Sequence, residues 1–126
     1  MSPLLLDSHV LIWWATGDPT LPPAIAEIIG NSRRDVFVST ATVWELGLKR
    51  AKGKFKTPDD YLDLLRANRF LTLPVTLEHA IAAYSLPPFH PDPFDRMLVA
   101  QAIIEKATLV TRDPKLTGYG VSILKA

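Results

Sequence analysis

Four carboxylates stand at positions from which they could share a metal ion. Asp7 and Asp113 each follow a short apolar run, Glu45 lies in a segment with helical spacing, and Asp95 opens a long apolar segment. The chain has no cysteine, so a metal would be held by oxygen ligands or histidine, which favours hard cations such as Mg²⁺. Carboxylates around such an ion are suited to hydrolysis of a phosphodiester by metal-activated water.

Each carboxylate also has an ordinary structural explanation. Asp7 could cap the helix that follows it, Asp95 could interact with the dipole of its own helix, and Asp113 could form a turn with the proline after it. Glu45 stands four residues before Lys49, which is the preferred order for an ion pair on a helix. The pattern of residues alone therefore leaves both explanations open.

Short apolar runs alternate with segments of helical period, which predicts βαβ units around a parallel sheet. The predicted strands are residues 4–6, 36–38, 70–75, 108–111 and 121–124. The predicted helices are residues 9–15, 24–29, 42–52, a helix opened by Pro58-Asp59-Asp60, and residues 77–84 and 94–106. The fold class is α/β, a three-layer α/β/α fold with a central, mostly parallel sheet of four to five strands. Ligand sites in such sheets form beyond the carboxyl ends of the strands, where Asp7 and Asp113 are expected.

The size and composition predict one domain spanning residues 1–126. Compact domains commonly have about 100–150 residues, and 48% of the 126 residues are hydrophobic, enough for a substantial core. The N-terminus has no basic segment before its three leucines, and no apolar run approaches the roughly 18 residues that span a bilayer. We therefore expect a cytoplasmic protein that makes no contact with a membrane.

Four segments in chain order carry a family resemblance. They are Leu-Leu-Leu-Asp-Ser-His at 4–9, Ser-Thr-Ala-Thr-Val-Trp-Glu-Leu at 39–46, the run that begins His-Pro-Asp-Pro-Phe-Asp-Arg at 90–102, and Leu-Val-Thr-Arg-Asp at 109–113. Together they resemble the PIN-domain family, and specifically the VapC toxins of bacterial and archaeal toxin–antitoxin pairs. The third segment is the most specific, and the resemblance covers nearly the whole chain.

The resemblance implies a metal-dependent endoribonuclease that acts as a toxin. It implies that Asp7, Glu45, Asp95 and Asp113 form the catalytic site and bind Mg²⁺ (or Mn²⁺), and that Ser8 and Thr111 help to orient them. Asp92 ranks below these four and is expected to anchor its loop. The implied partners are an RNA substrate, a VapB-like antitoxin and a second copy of the chain in a homodimer.

Positive charge is concentrated in one short stretch and beside two of the acids. The stretch holds five cations within eight residues: Lys49, Arg50, Lys52, Lys54 and Lys56. With Arg96 and Arg112 they are candidates for binding RNA phosphates. A solvated helix end is the alternative for the stretch, and a salt bridge to Asp92 or Glu105 is the alternative for Arg96.

Two other functions fit the residues less well. A Mg²⁺-dependent phosphatase would need paired aspartates near the first strand and a lysine after a late strand, and neither is found. A non-catalytic RNA-binding PIN relative would be expected to have lost part of the acidic set.

Histidine and tryptophan residues give weaker indications. His79 and His90 belong to no paired motif, so no histidine-based nucleophile is expected. Trp44 is expected in the core. The adjacent Trp13 and Trp14 cannot both face one side of a helix, so one of them is expected at an interface.

Overall fold

The computed structural model describes residues 1–31, 33–53 and 60–126. Predictions that concern Lys54, Lys56 and Pro58-Asp59 fall outside these ranges. No helix among the described residues is long and apolar enough to cross a membrane.

Five parallel strands form one sheet within the described part of the chain. They are β1 (Leu4–Leu6), β2 (Val36–Ser39), β3 (Leu71–Leu73), β4 (Thr108–Thr111) and β5 (Ile123–Lys125), in the order β3-β2-β1-β4-β5. Leu5 pairs with Phe37 of β2 on one side and with Leu109 of β4 on the other. The predicted α/β class and strand number are confirmed, and every strand pair is parallel.

Six α-helices connect these strands in the described residues. They are α1 (Ser8–Thr16), α2 (Pro23–Gly30), α3 (Thr40–Ala51), α4 (Tyr61–Ala67), α5 (Leu77–Ser85) and α6 (Pro93–Glu105), and a 3₁₀ helix spans Pro114–Tyr119. The strand predicted at 70–75 has only three paired residues, since Pro74 has no N–H for the ladder. The last strand begins two residues later than predicted.

The three layers follow from the alternation of side chains along β1. Leu4 and Leu6 pack into a cluster with residues of α1, α2, α3 and α4, whereas Leu5 packs on the opposite face with Leu98 and Val99 of α6. All three leucines are fully buried. A strand apolar at every position is therefore explained by helices on both faces of the sheet.

The central strand is also where the chain changes direction across the sheet. The chain moves from β1 to β2 and β3 on one side, and later returns to place β4 and β5 on the other. At such a switch point the loops after the two middle strands diverge and leave a crevice at the carboxyl edge. The loops after β1 and β4 carry Asp7 and Asp113.

Candidate metal centre

Asp7 ends β1 and caps α1 with the same carboxylate. Its Oδ1 accepts the backbone N–H of Val10 at 2.8 Å, and its Oδ2 accepts a short hydrogen bond from the Thr111 hydroxyl. Asp7 is buried. Burial raises the pKa of this carboxyl, the two hydrogen bonds oppose the rise, and the nearby charge of Glu45 adds to it.

Glu45 projects from α3 into the same buried region. Its Oε2 forms an ion pair with Lys49 at 2.8 Å, as the i,i+4 spacing predicted. Its Oε1 is buried and has no hydrogen-bond partner among the described residues. Because a buried carboxylate oxygen without a partner is costly, this atom indicates that the site favours an additional cation.

Asp95 lies in the first turn of α6. This helix directly follows a proline-rich loop, residues 86–92. Asp92 caps that helix by accepting the N–H groups of Phe94 and Asp95 at 2.9 and 3.0 Å. Burial, then the charge of Asp92, raises the pKa of Asp95 to about 6; the hydrogen bond from His90 opposes the rise, and Glu45 adds to it.

Asp113 is the most exposed of the four predicted acids. Its Oδ1 caps the 3₁₀ helix by accepting the N–H of Lys115 at 2.9 Å, and its backbone N–H donates to the hydroxyl of Thr111 at 3.1 Å. The Thr111 hydroxyl therefore connects the loop after β4 with Asp7 at the end of β1. The role predicted for Thr111 in orienting a metal site stays a prediction.

His90 lies beside two of the acids, although no role was predicted for it. Its Nε2 lies 2.8 Å from Asp95 Oδ2 and 3.3 Å from Asp113 Oδ2. Possible ligand atoms of these three residues all lie within 4.8 Å of one another. Sequence reasoning missed His90 because it looked for a histidine paired with a nucleophile; the usable signal was its place in the stiff loop five residues before Asp95.

The remaining predicted residues differ in their positions. Ser8 is buried beside Asp7 as the first residue of α1, and its orienting role stays a prediction. Arg50 and Lys52 lie at the exposed end of α3, where Lys52 is the C-cap. Trp44 was expected in the core, and this prediction was wrong. Its side chain is 64% exposed, and its ring packs edge-on against that of Phe94 with a centroid distance of 5.3 Å.

The two predicted RNA-binding arginines make contacts inside the fold. Arg112 donates to the carbonyls of Ala126 and Thr20, both at 2.7 Å, and its guanidinium lies over the ring of Trp13 at 4.5 Å. Arg96 donates to backbone carbonyls of the proline-rich loop and of α5. Glu105, its alternative partner, instead binds His79 at 2.9 Å. RNA binding by either arginine stays a prediction, with no support from these contacts.

The donor set fits a hard divalent cation. Glu45 raises the pKa of both Asp7 and Asp95, so its charge is close enough to oppose the ionisation of both aspartates. A divalent ion would relieve this repulsion and could bind the unpartnered Glu45 Oε1. Carboxylates with one histidine and no sulfur favour Mg²⁺ or Mn²⁺ over softer metals.

Comparisons with known proteins identify the family. The PIN domain family matches residues 4–121. Ribonuclease VapC22 of Mycobacterium tuberculosis is 30% identical over 122 residues, covering 94% of this chain and 93% of the relative. The chain belongs to the PIN-domain family, and it is of the VapC type.

Solved structures of low sequence identity share the fold. A chain of DNA-bound VapBC from Salmonella typhimurium aligns with a TM-score of 0.71 at 20% identity, over 99% of this chain and 98% of that chain. A chain of VapBC2 from Rickettsia felis, bound to a DNA fragment from its promoter, aligns with a TM-score of 0.69 at 14% identity, over 97% of both chains.

Proposed function

We propose that this protein is a metal-dependent endoribonuclease that acts as the toxin of a toxin–antitoxin pair. The observation that carries the proposal is the group of carboxylates at the switch point, in which Glu45 opposes the ionisation of Asp7 and Asp95 and its own Oε1 is buried without a hydrogen-bond partner among the described residues. Membership of the PIN-domain family and the 30% identity to a protein named as a ribonuclease support the same activity.

Asp7, Glu45, Asp95 and Asp113 hold the Mg²⁺ (or Mn²⁺) ion in this proposal. Bound there, the ion lowers the pKa of a water molecule and neutralises charge that builds up on the phosphate oxygens. Asp7 is fixed for this task by Thr111 and the N-terminus of α1, and Asp95 by Asp92 and His90. Asp113 uses Oδ1 as a helix cap, so its Oδ2, beside His90, is the oxygen that would be available to the ion.

The positive residues at the end of α3 are proposed to bind the RNA backbone. Lys49 is held beside the acids by its ion pair with Glu45, and Arg50 and Lys52 extend the positive charge along the exposed end of the same helix. Contacts of this kind add affinity that falls with salt concentration but carry no sequence information. Specificity for an RNA would depend on other contacts.

We also propose a VapB-like antitoxin and a second copy of the chain as protein partners. Similar solved chains come from VapBC structures. The described surface offers apolar area for such contacts, including a groove of about 450 Å³ beside Trp44, Phe94 and Met97. Apolar surface of this kind is typical of sites that bind another protein. RNA and antitoxin would both be met in the cytoplasm, which is the proposed location.

The test is cleavage of total cellular RNA by the purified protein with EDTA, Mg²⁺ or Mn²⁺. We expect cleavage only with a metal, and at least a 100-fold lower rate for Glu45→Gln or Asp95→Asn, since each substitution removes a charged metal ligand. Asp35→Asn, which changes an exposed carboxylate outside the site, is the matched control and is expected to cleave normally.

Two results would count against the proposal. One is a wild-type protein that leaves all cellular RNA intact with either metal and does not slow growth when it is expressed alone. The other is cleavage that survives in EDTA and in both site variants, which would point to a contaminating nuclease.

A further inference from the structure

His90 occupies a position at which one ring nitrogen meets two carboxylates. Its Nε2 is 2.8 Å from Asp95 Oδ2 and 3.3 Å from Asp113 Oδ2, and the residue is only 7% exposed. Its Nδ1 is buried and has no hydrogen-bond partner among the described residues. The Asp95 oxygen can only accept when ionised, so the hydrogen of this bond is carried by Nε2, while Asp113 Oδ2 lies beside the same nitrogen at ion-pair distance.

The backbone of His90 is held by a residue of the 3₁₀ helix. Its N–H donates to the Tyr119 hydroxyl at 3.0 Å, and the Tyr119 ring packs against Phe89 with a centroid distance of 5.1 Å. The loop is consequently attached to the 3₁₀ helix that follows Asp113. The histidine thus joins two segments that each carry one of the acids.

Arg96 fixes the rest of the loop from within α6. One terminal nitrogen donates to Pro87 O at 3.0 Å, and the other donates to Ala83 O and Leu86 O at 3.0 and 2.9 Å. The guanidinium has the planar, multiply donating geometry that such an arrangement needs. Since these carbonyls lie just before His90, the arginine restricts where the imidazole can lie.

We propose that His90 is a positioning residue for the metal centre: its Nε2–H fixes Asp95 through a hydrogen bond, and the ring nitrogen keeps Asp113 beside it before an ion binds. The carboxylates of Asp95 and Asp113 have ligand atoms within 4.8 Å of each other, so without His90 their charges would push them apart. The free energy needed to bring them together again would then reduce the affinity for the ion. Hydrogen bonds to ligating groups commonly change metal affinity by about 10–100-fold. The inference rests on the proposed function only in taking these carboxylates as metal ligands.

The experiment measures Mn²⁺ affinity by calorimetry, without RNA. We expect His90→Leu to weaken Mn²⁺ binding by about 10–100-fold. His90→Gln should retain much of the affinity, because its amide nitrogen can donate from a place near that of Nε2. His79→Gln is the matched control, since His79 is the other buried histidine that binds a carboxylate, and it should leave Mn²⁺ affinity unchanged.

A second measurement does not depend on the metal. Long-range ¹H–¹⁵N correlation spectra of the histidine rings should show a proton on Nε2 of His90 that exchanges slowly with solvent. Equal Mn²⁺ affinity in the wild type and His90→Leu, or a ring protonated on Nδ1 alone, would overturn the inference. A wild type that binds Mn²⁺ with the expected dependence on His90 but cleaves no RNA would overturn the proposed function and leave the inference intact.

Discussion

Replacing Asp95 with asparagine should stabilise the metal-free protein while abolishing its cleavage of RNA. Burial and the neighbouring acids Asp92 and Glu45 raise the pKa of Asp95 to about 6, from 3.8 for an ordinary aspartate. The folded state therefore disfavours the charged form, and at neutral pH the protein loses stability by carrying it. Asparagine has nearly the same shape without the charge.

The size of the effect follows from the pKa shift. A rise of about two pH units corresponds to roughly 3 kcal/mol, since each unit is worth about 1.4 kcal/mol. This is an upper bound because the side chain of Asp95 is 20% exposed. For a chain of 126 residues, each kcal/mol changes the melting temperature by roughly 4 °C, taking an unfolding entropy of about 2.1 cal/mol/K per residue. We therefore expect Asp95→Asn to melt about 4–11 °C higher than the wild type at pH 8 in EDTA.

The dependence on pH has a definite sign. Since the pKa of Asp95 is higher in the folded state than in the unfolded state, the folded state binds more protons between about pH 4 and 6. The wild type should lose stability as pH rises through that range, whereas Asp95→Asn should lack this contribution. The difference in melting temperature should be largest above pH 7 and should disappear near pH 4. Adding Mg²⁺ at pH 8 should reduce it, because the ion stabilises the wild type more.

The assay is thermal unfolding followed by circular dichroism at pH 4 to 8, with EDTA or Mg²⁺. Asp35→Asn, at an exposed carboxylate, is the control and should show no pH-dependent gap of this size. An Asp95→Asn protein less stable than the wild type at pH 8 in EDTA would refute the reasoning. A gap that stays the same from pH 4 to 8 would also refute it, because its cause could not then be the charge of this carboxylate.

Substitutions at three further residues test the structure of the site. Thr111→Val should lower the free energy of unfolding, measured by urea denaturation, by about 1–3 kcal/mol, since it leaves polar groups of two loops without a partner. Thr111→Ser should restore the stability. A loss below about 0.5 kcal/mol would contradict the bridge to Asp7. Arg96→Met should make the loop before α6 sensitive to limited proteolysis and weaken Mn²⁺ binding through His90. Arg96→Lys should restore neither the resistance to proteolysis nor the Mn²⁺ affinity, because one ammonium group cannot replace the several N–H donors of the guanidinium. Full rescue by lysine would show that only the charge matters. Glu45→Gln should keep the fold by circular dichroism but lower Mn²⁺ affinity at least 10-fold, and unchanged affinity would remove this residue from the proposed ligand set.

Much of the fold could be predicted because its determinants are local. Three leucines in succession predicted the first strand, and the structure covers β1 with α1–α4 on one side and α6 on the other. Caps and prolines marked the starts of the helices. The order of the strands could not be read in the same way, because register and neighbours depend on contacts between segments that are distant in the chain.

The sequence pointed to the acids of the candidate site but not to the groups that hold them. Asp7 and Asp113 stood out because they follow apolar runs. The link between His90 and these loops depends on where the proline-rich loop lies in space, which no spacing in the sequence reveals. The same holds for Arg96, whose charge suggested RNA or an acidic partner but whose hydrogen bonds go to backbone carbonyls.

Trp44 shows a different limit. It was assigned to the core from its side-chain type, but the buried face of α3 is formed by Ala41, Thr42, Glu45 and Leu46. The tryptophan lies on the outer side of the helix. Hydrophobicity alone could not distinguish a core position from an exposed aromatic surface beside a groove.

Asparagine is a poorer substitute for Asp7 than for Asp95, because the two carboxylates accept different hydrogen bonds. The hydroxyl of Thr111 accepts from the Asp113 N–H and so donates to Asp7 Oδ2, while Asp7 Oδ1 accepts from Val10. Both oxygens accept hydrogen bonds, so the amide nitrogen of an asparagine would either face the Val10 N–H or donate to the Thr111 hydroxyl, which would then lose its own acceptor. At Asp95 the bond to His90 uses Oδ2 alone, and the oxygen of an asparagine can take that place. An inactive protein that keeps its native surface, for isolating bound RNA or an antitoxin, is therefore better made at Asp95 than at Asp7.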